Sequence, residues 1–217
     1  MTTLQMFLRQ LRPALIAVAV FTVLCGLVYP GAVWAVSRLD ADSAEGSIVH
    51  DSAGCAVGSA LQATDPQVGP GAPDVYFHSR VAGSGDEADP TAAAMAPGDP
   101  SGGLPSNRGP SNPDLADWVQ LRRRVIAERE GVTPDQVPVD AVTGSGSGLD
   151  PHISPEYAAL QIPRVARATG MDEQQVSELV EAHTDGRQWG FLGEPRVRVT
   201  ELNVALGLTA PACDARE

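Results

Sequence analysis

The chain has 217 residues, a net charge of −12 and no lysine. An acidic surface excludes nucleic acid, whose phosphates need a basic face. The missing lysine excludes Schiff-base chemistry and a phosphate-loop lysine, and the length allows one modest domain plus an anchor.

From Ala14 to Val36 no residue is charged. A helix needs about 20 apolar residues to cross the hydrocarbon core, so this run is read as a transmembrane helix. Tyr29 and Trp34 stand toward one end, where amphipathic rings prefer the headgroup level. Pro30 predicts a kink or an end to the helix. Arg9 and Arg12 precede the run; Arg38, Asp40, Asp42 and Glu45 follow it. Two arginines against one place the N-terminus in the cytoplasm. The competing reading is a signal peptide cut after Val33-Trp34-Ala35, but the run is longer than the roughly 7–15 residues of a signal core. Either reading puts the remainder outside. The expected organisation is a cytoplasmic segment 1–13, a membrane helix 14–36 and an extracytoplasmic domain 37–217. In an oxidising compartment Cys55 and Cys213 are candidates to pair.

Beyond the anchor, Ser47–His50 and Ala56–Leu61 read as strands around a turn at Asp51–Gly54. Val75–Ser79 is a short aromatic run without a clear period. Residues 82–112 are Gly, Pro, Ser, Asp and Ala with few bulky side chains; such a stretch buries too little apolar area to offset its ordering entropy and predicts a long flexible loop. Asn112 then caps a helix, with Pro113 at its first position and Gly131 at its end. Val137–Val142 reads as a strand. Ser154 and Pro155 open the next helix, which Pro163 is expected to break or kink and Gly170 to stop. Asp172, with Gln175 three residues on, signals a capping box for a third helix, running to about His183. Arg196–Thr200 reads as a strand and Glu201–Leu206 as a short helical turn. The order of elements predicts a small α+β domain.

Few motifs carry chemistry. Gly144-Ser145-Gly146-Ser147-Gly148 is followed by Leu149-Asp150-Pro151 rather than by a helix, so it does not suit a phosphate loop. Neither serine is flanked as in a hydrolase elbow. Asp150, His152, His183 and Glu194 are metal-ligand types, but their histidines lack the paired spacing of a metal helix. No catalytic residue and no metal site is expected.

The segment from Val137 through Gly144–Gly148 to Asp150-Pro151-His152-Ile153-Ser154-Pro155 resembles the signature of the C subunit (KdpC) family of the Kdp potassium-transporting ATPase. Tyr29-Pro30, Gly58-Ser59-Ala60-Leu61, Tyr76-Phe77-His78-Ser79-Arg80, Ile162-Pro163-Arg164-Val165-Ala166, His183-Thr184-Asp185-Gly186-Arg187, Leu192-Gly193-Glu194-Pro195-Arg196-Val197 and Glu201-Leu202-Asn203 follow in the family's order. The resemblance implies a non-catalytic subunit of a plasma-membrane complex that imports K⁺ at the expense of ATP. Its implied partners are a channel-like K⁺-translocating subunit, a P-type subunit that hydrolyses ATP, and a small membrane subunit. ATP and K⁺ belong to the complex, and no covalently bound cofactor is expected. The family role implied is to assist assembly and to raise the ATP affinity of the P-type subunit. Gly58, Ser59 and Gln62 are the implied nucleotide-contacting residues. The family's Gly-Ser-x-Leu-Ile-Gly-Gln ends in a glutamine, and here Thr64 takes that place. Gly146, Ser147, Gly148, Asp150, His152, Ser154, Arg164, Glu194 and Arg196 are the candidates for a subunit interface or gating element. The alternative from another class is a tethered extracytoplasmic binding protein or enzyme unrelated to transport.

Overall fold

A computed structural model describes residues 3–66, 68–69, 71–82, 89–98, 101–103 and 105–210. The chain divides into a unit ending at Glu45 and a second unit from Gly46 onward. In the first, helix α1 (Thr3–Val23), a π-helical stretch Leu24–Val28 and α2 (Tyr29–Ser37) follow without a break. Phe7–Ser37 is long and apolar enough to cross a membrane. Pro30 therefore neither ends the helix nor follows a regular turn. Proline removes one donor and crowds the carbonyl four residues back; the widened π turn just before it, built around Gly26, absorbs that conflict. A short helix, α3 (Ala41–Ala44), is capped by the Asp40 carboxylate, which accepts from the Ser43 N–H at 3.3 Å.

The second unit is α+β. Strands β1 (Ile48–His50) and β2 (Ala56–Ser59) form an antiparallel hairpin with a bulge between Val49 and His50. Helix α4 (Pro90–Ala94) lies within the stretch read as a structureless loop. Its Ala93 and Ala94 are buried beside Trp118, so small residues join a core there because large partners reach them. Helix α5 (Pro113–Glu130) has the expected Asn112 cap and ends at Gly131 with φ +71°, a left-handed value that suits glycine.

Residues 137–142 are not a strand. A 3-10 turn, Pro134–Gln136, leads to helix α6 (Val139–Val142). Val137, Ala141 and Val142 are buried while Val139 is 69% exposed; the inward faces recur at helical, not alternating, spacing. A second sheet has strand order β3 (His152–Ile153), β5 (Arg196–Arg198), β4 (Thr184–Asp185), all antiparallel. The strand expected over 196–200 stops at Arg198. The Val199 N–H donates to Pro151 O at 3.1 Å, and helix α9 (Val199–Ala205) begins there with Val199, Thr200, Leu202 and Asn203 buried.

Helix α7 (Pro155–Thr169) continues through Pro163. An interior proline costs roughly 3 kcal/mol, but Tyr157, Ala158, Gln161, Arg164, Val165 and Ala166 on its inner face are all buried, and tertiary packing of this kind outweighs a local defect. Helix α8 (Glu173–Ala182) has the predicted Asp172–Gln175 capping box. The core gathers Phe77 with Ile126, Val142, Ile153, Tyr157, Val165, Val176, Val197 and Leu202 from helices α5 to α9 and strands β3 and β5.

Candidate functional site

The glycine-rich segment is a hub. The Ser145 N–H donates to Val81 O (2.8 Å), and Ala63 N–H donates to Leu149 O (2.9 Å). A Cβ on Gly98 would stand 3.0 Å from Gly148 O, and one on Gly103 3.3 Å from a Leu149 methyl. The hairpin, the long connection and the signature thus meet at backbone contact distance. Arg80, which sequence reasoning passed over, ties the segment down. It donates to the Asp150 carboxylate (2.8 Å) and to Thr143 O and Gly144 O (3.2 Å each). Asp150 Oδ1 accepts from the His152 N–H at 3.0 Å. Burial alone would raise the Asp150 carboxyl, but its hydrogen bonds to His152 and the Arg80 charge hold it down at about 2. Ser154 caps α7 by accepting from Tyr157 N–H, and donates to Asp140 at 2.9 Å. Ser145 and Gly148 are buried, whereas Gly146 and Ser147 face solvent.

Arg164 is 7% exposed and lies inside the fold. Its Nε donates to Glu130 (3.0 Å), and one terminal nitrogen donates to Asp74 O (2.7 Å) and Tyr76 O (3.0 Å). The same side chain pairs with the Asp74 carboxylate at 3.1 Å. Asp74 in turn meets His78 Nε2 at 2.9 Å, while His78 Nδ1 meets Asp65 at 3.0 Å. A neutral imidazole has one N–H; with a carboxylate on each nitrogen, His78 is an imidazolium. Burial works against that charge, but the two carboxylates outweigh it and raise the His78 pKa. Desolvation likewise opposes the Asp74 carboxylate, and the His78 hydrogen bond with the His78 and Arg164 charges lowers it.

The run Val75–Ser79 forms no regular element, and its backbone pairs with side chains in place of a sheet. Asn203 accepts from Phe77 N–H (2.7 Å) and donates to Phe77 O (2.8 Å). Gln161 does the same for His78, at 2.8 and 3.2 Å. Both amides are fully buried. Arg122 is also fully buried and donates to Ala94 O and Val142 O, with Trp118 beside it. The sequence carries a signal for it, because Trp118, Arg122 and Ile126 are four residues apart on one helix face.

The remaining predicted residues lie elsewhere. Glu194 is exposed and pairs with Arg187; Arg196 pairs with Asp185 at 3.4 Å. Among the described residues, neither side chain pairs with the signature segment. Gly58 and Ser59 lie in strand β2, paired with Val49 and Ile48, and Gln62 lies in the turn that follows it. A Cβ on Gly58 would strike the Thr64 hydroxyl at 2.5 Å. The Ser59 hydroxyl donates to Gly46 O and accepts from Leu61 N–H; Gln62 O accepts from Thr200. Irregular chain, not a helix N-terminus, follows this turn over residues 63–66, so its geometry does not fit a phosphate cradle. Among the described residues no group of three His, Cys, Asp or Glu side chains is placed to hold a metal. Cys55 is disulfide-bonded, Cys25 is free, and Cys213 lies outside the described residues.

An apolar helix of membrane-spanning length, followed by an α+β unit gathered around a glycine-rich loop, defines a membrane-associated protein. The family model described as the K⁺-transporting ATPase c chain matches residues 11–207. A potassium-transporting ATPase KdpC subunit of Kineococcus radiotolerans is 47% identical, over 94% of this chain and 96% of that one. KdpC subunits of Rhodopseudomonas palustris and Geobacter sulfurreducens are 43% and 42% identical, over 93% and 94% of this chain and 98% and 100% of theirs. The chain belongs to the KdpC family and is a component of a potassium-transport complex.

Proposed function

We propose that the chain is a non-catalytic subunit of an ATP-driven K⁺ uptake complex, held in the plasma membrane by its N-terminal helix, with the unit from Gly46 outside. It assembles with a channel-like K⁺-translocating subunit, a P-type ATP-hydrolysing subunit and a small membrane subunit. It raises the nucleotide affinity of the P-type subunit through that assembly and not by touching ATP. The arginine asymmetry around the helix supports the orientation. The engagement of Gly58, Ser59 and Gln62 within the fold supports an indirect effect on nucleotide.

One observation carries the docking role. Gly146 is exposed, its φ is not positive, and a Cβ there would meet nothing within 4 Å. Among the described residues nothing requires glycine at the tip of the signature loop; a partner lying flat against the tip would. The test is Gly146→Gln with co-purification in mild detergent. The isolated chain should keep its stability within about 0.5 kcal/mol, while the variant should lose its three partners and K⁺-stimulated ATP hydrolysis. A variant that assembles and pumps normally rules the tip out as the interface, and a wild-type chain that purifies with no partner overturns the complex reading. Orientation is read separately: a reporter fused after Glu217 should be active only when exported.

A further inference from the structure

A feature far from the signature in sequence has no role in the core. Residues 186–195 form a small hairpin closed by the Gln188–Leu192 bridge. The Gln188 N–H donates to Leu192 O and the Leu192 N–H to Gln188 O, both at 2.9 Å. Arg187 fixes the base, donating to Gly193 O at 2.7 Å and pairing with Glu194. The tip this frame presents is apolar: Trp189, Phe191 and Leu192 are 85%, 69% and 42% exposed. Trp189 also holds φ +52°, a left-handed value that side-chain-bearing residues rarely adopt. A bulky ring is thus held in water on a strained backbone by a frame with its own hydrogen bonds.

We propose that the Trp189–Leu192 tip is a lipid-interface anchor that seats in the headgroup region of the bilayer entered by the chain's own apolar helix. Three observations favour lipid over a protein groove. Size comes first: three side chains at these exposures offer on the order of 400 Å², about half of what one partner buries in a stable protein interface. Charge is the second. The chain carries −12 overall, but Arg187 and Glu194 are the only charges in 186–195 and they pair with each other, so the tip is neutral. Tryptophan with phenylalanine on a neutral mount matches the polarity gradient at the headgroup level. Reach is the third. Residues 38–45 alone separate the apolar helix from the second unit, and a chain of that length spans at most about 29 Å. The second unit as a whole is therefore tethered at high effective concentration near the bilayer, where a modest insertion free energy suffices.

The experiment uses the full chain reconstituted in phosphatidylcholine bilayers with bromine high on the acyl chains. In a Trp34→Phe background the tryptophans left are Trp118, which is 9% exposed, and Trp189. Emission should be blue-shifted and quenched by the brominated lipid, and the further Trp189→Phe substitution should remove the quenched component. Unquenched emission at the wavelength of a water-exposed indole overturns the proposal. So does a blue shift that appears only on co-reconstitution with the other subunits and without bromine quenching, which assigns the tip to a protein groove. Neither result bears on subunit identity, which the co-purification tests alone.

Discussion

Replacing His78 by alanine tests the buried charge network at its centre. The imidazolium faces Asp65 and Asp74 directly, and Arg164, Glu130, Arg129 and Tyr157 complete the cluster. Removing one partner of a buried ion pair costs about 3–5 kcal/mol. The His78, Asp65 and Asp74 side chains are 14%, 11% and 24% exposed, and Arg164 still pairs with Asp74, so the lower end applies: about 3 kcal/mol, or roughly a hundredfold in the folded-to-unfolded ratio. The pH dependence separates charge from packing. The folded-state pKa of His78 is raised above its ordinary 6.5, so its contribution is complete below that value and is lost as pH rises through the folded-state value. The assay is urea unfolding of the full chain in detergent, followed by Trp118 emission in a Trp34→Phe, Trp189→Phe background. At pH 6 the alanine variant should be less stable by about 3 kcal/mol, and the gap should narrow toward alkaline pH because the wild type alone weakens. A gap that stays constant from pH 6 upward, or a difference below about 0.5 kcal/mol at pH 6, would refute the imidazolium assignment.

Asn203→Ala strands both the N–H and the carbonyl of Phe77 in the core, and should cost about 2–6 kcal/mol, since each unsatisfied buried group costs about 1–3; the same unfolding assay reads it. Arg122→Ala removes two buried hydrogen bonds to Ala94 O and Val142 O and leaves a cavity between α4 and α6, with an expected loss of about 3 kcal/mol or more; surface variants such as Arg124→Ala should stay within about 0.5 kcal/mol. Asp150→Asn should weaken the Arg80 clamp at neutral pH. Because the Asp150 pKa is depressed to about 2, the wild-type contribution is present above the ordinary carboxylate range and is lost as pH falls through 2, so the two proteins should converge only in strong acid. Cys55 and Cys213 should form one disulfide: Ala210 N–H donates to Asp51 Oδ2 at 3.1 Å, bringing the tail to the Asp51–Cys55 turn, and non-reducing peptide mapping should recover the linked pair.

What the sequence determined by itself is what local chemistry encodes. The uncharged run from Ala14 onward can only be read as an apolar helix, because its composition holds whatever surrounds it. The caps Asn112, Ser154 and Asp172 and the stops Gly131 and Gly170 lie where expected, since capping involves neighbours a few residues away. The β1–β2 hairpin was legible from two short runs around a turn-rich stretch, and the family from the order of short motifs along the whole chain. Wherever partners come from far along the chain, local reading failed. Val137–Val142 has the composition of a strand, yet it is helical because its buried positions pack into the core beside α5. Pro163 signals a break, yet α7 continues because its inner face is locked into the core. The run Val75–Ser79 has no period because its backbone partners are the side-chain amides of Gln161 and Asn203, 83 and 126 residues away. The interface candidates divide for the same reason. Gly146 and Arg164 look alike as signature residues, but only the tertiary structure leaves Gly146 at the surface and places Arg164 among Glu130, Asp74 and Tyr76. Hydrogen-bond partners at that distance leave no periodic trace in the sequence, so packing alone decides which polar residues build the fold and which remain free to meet a partner.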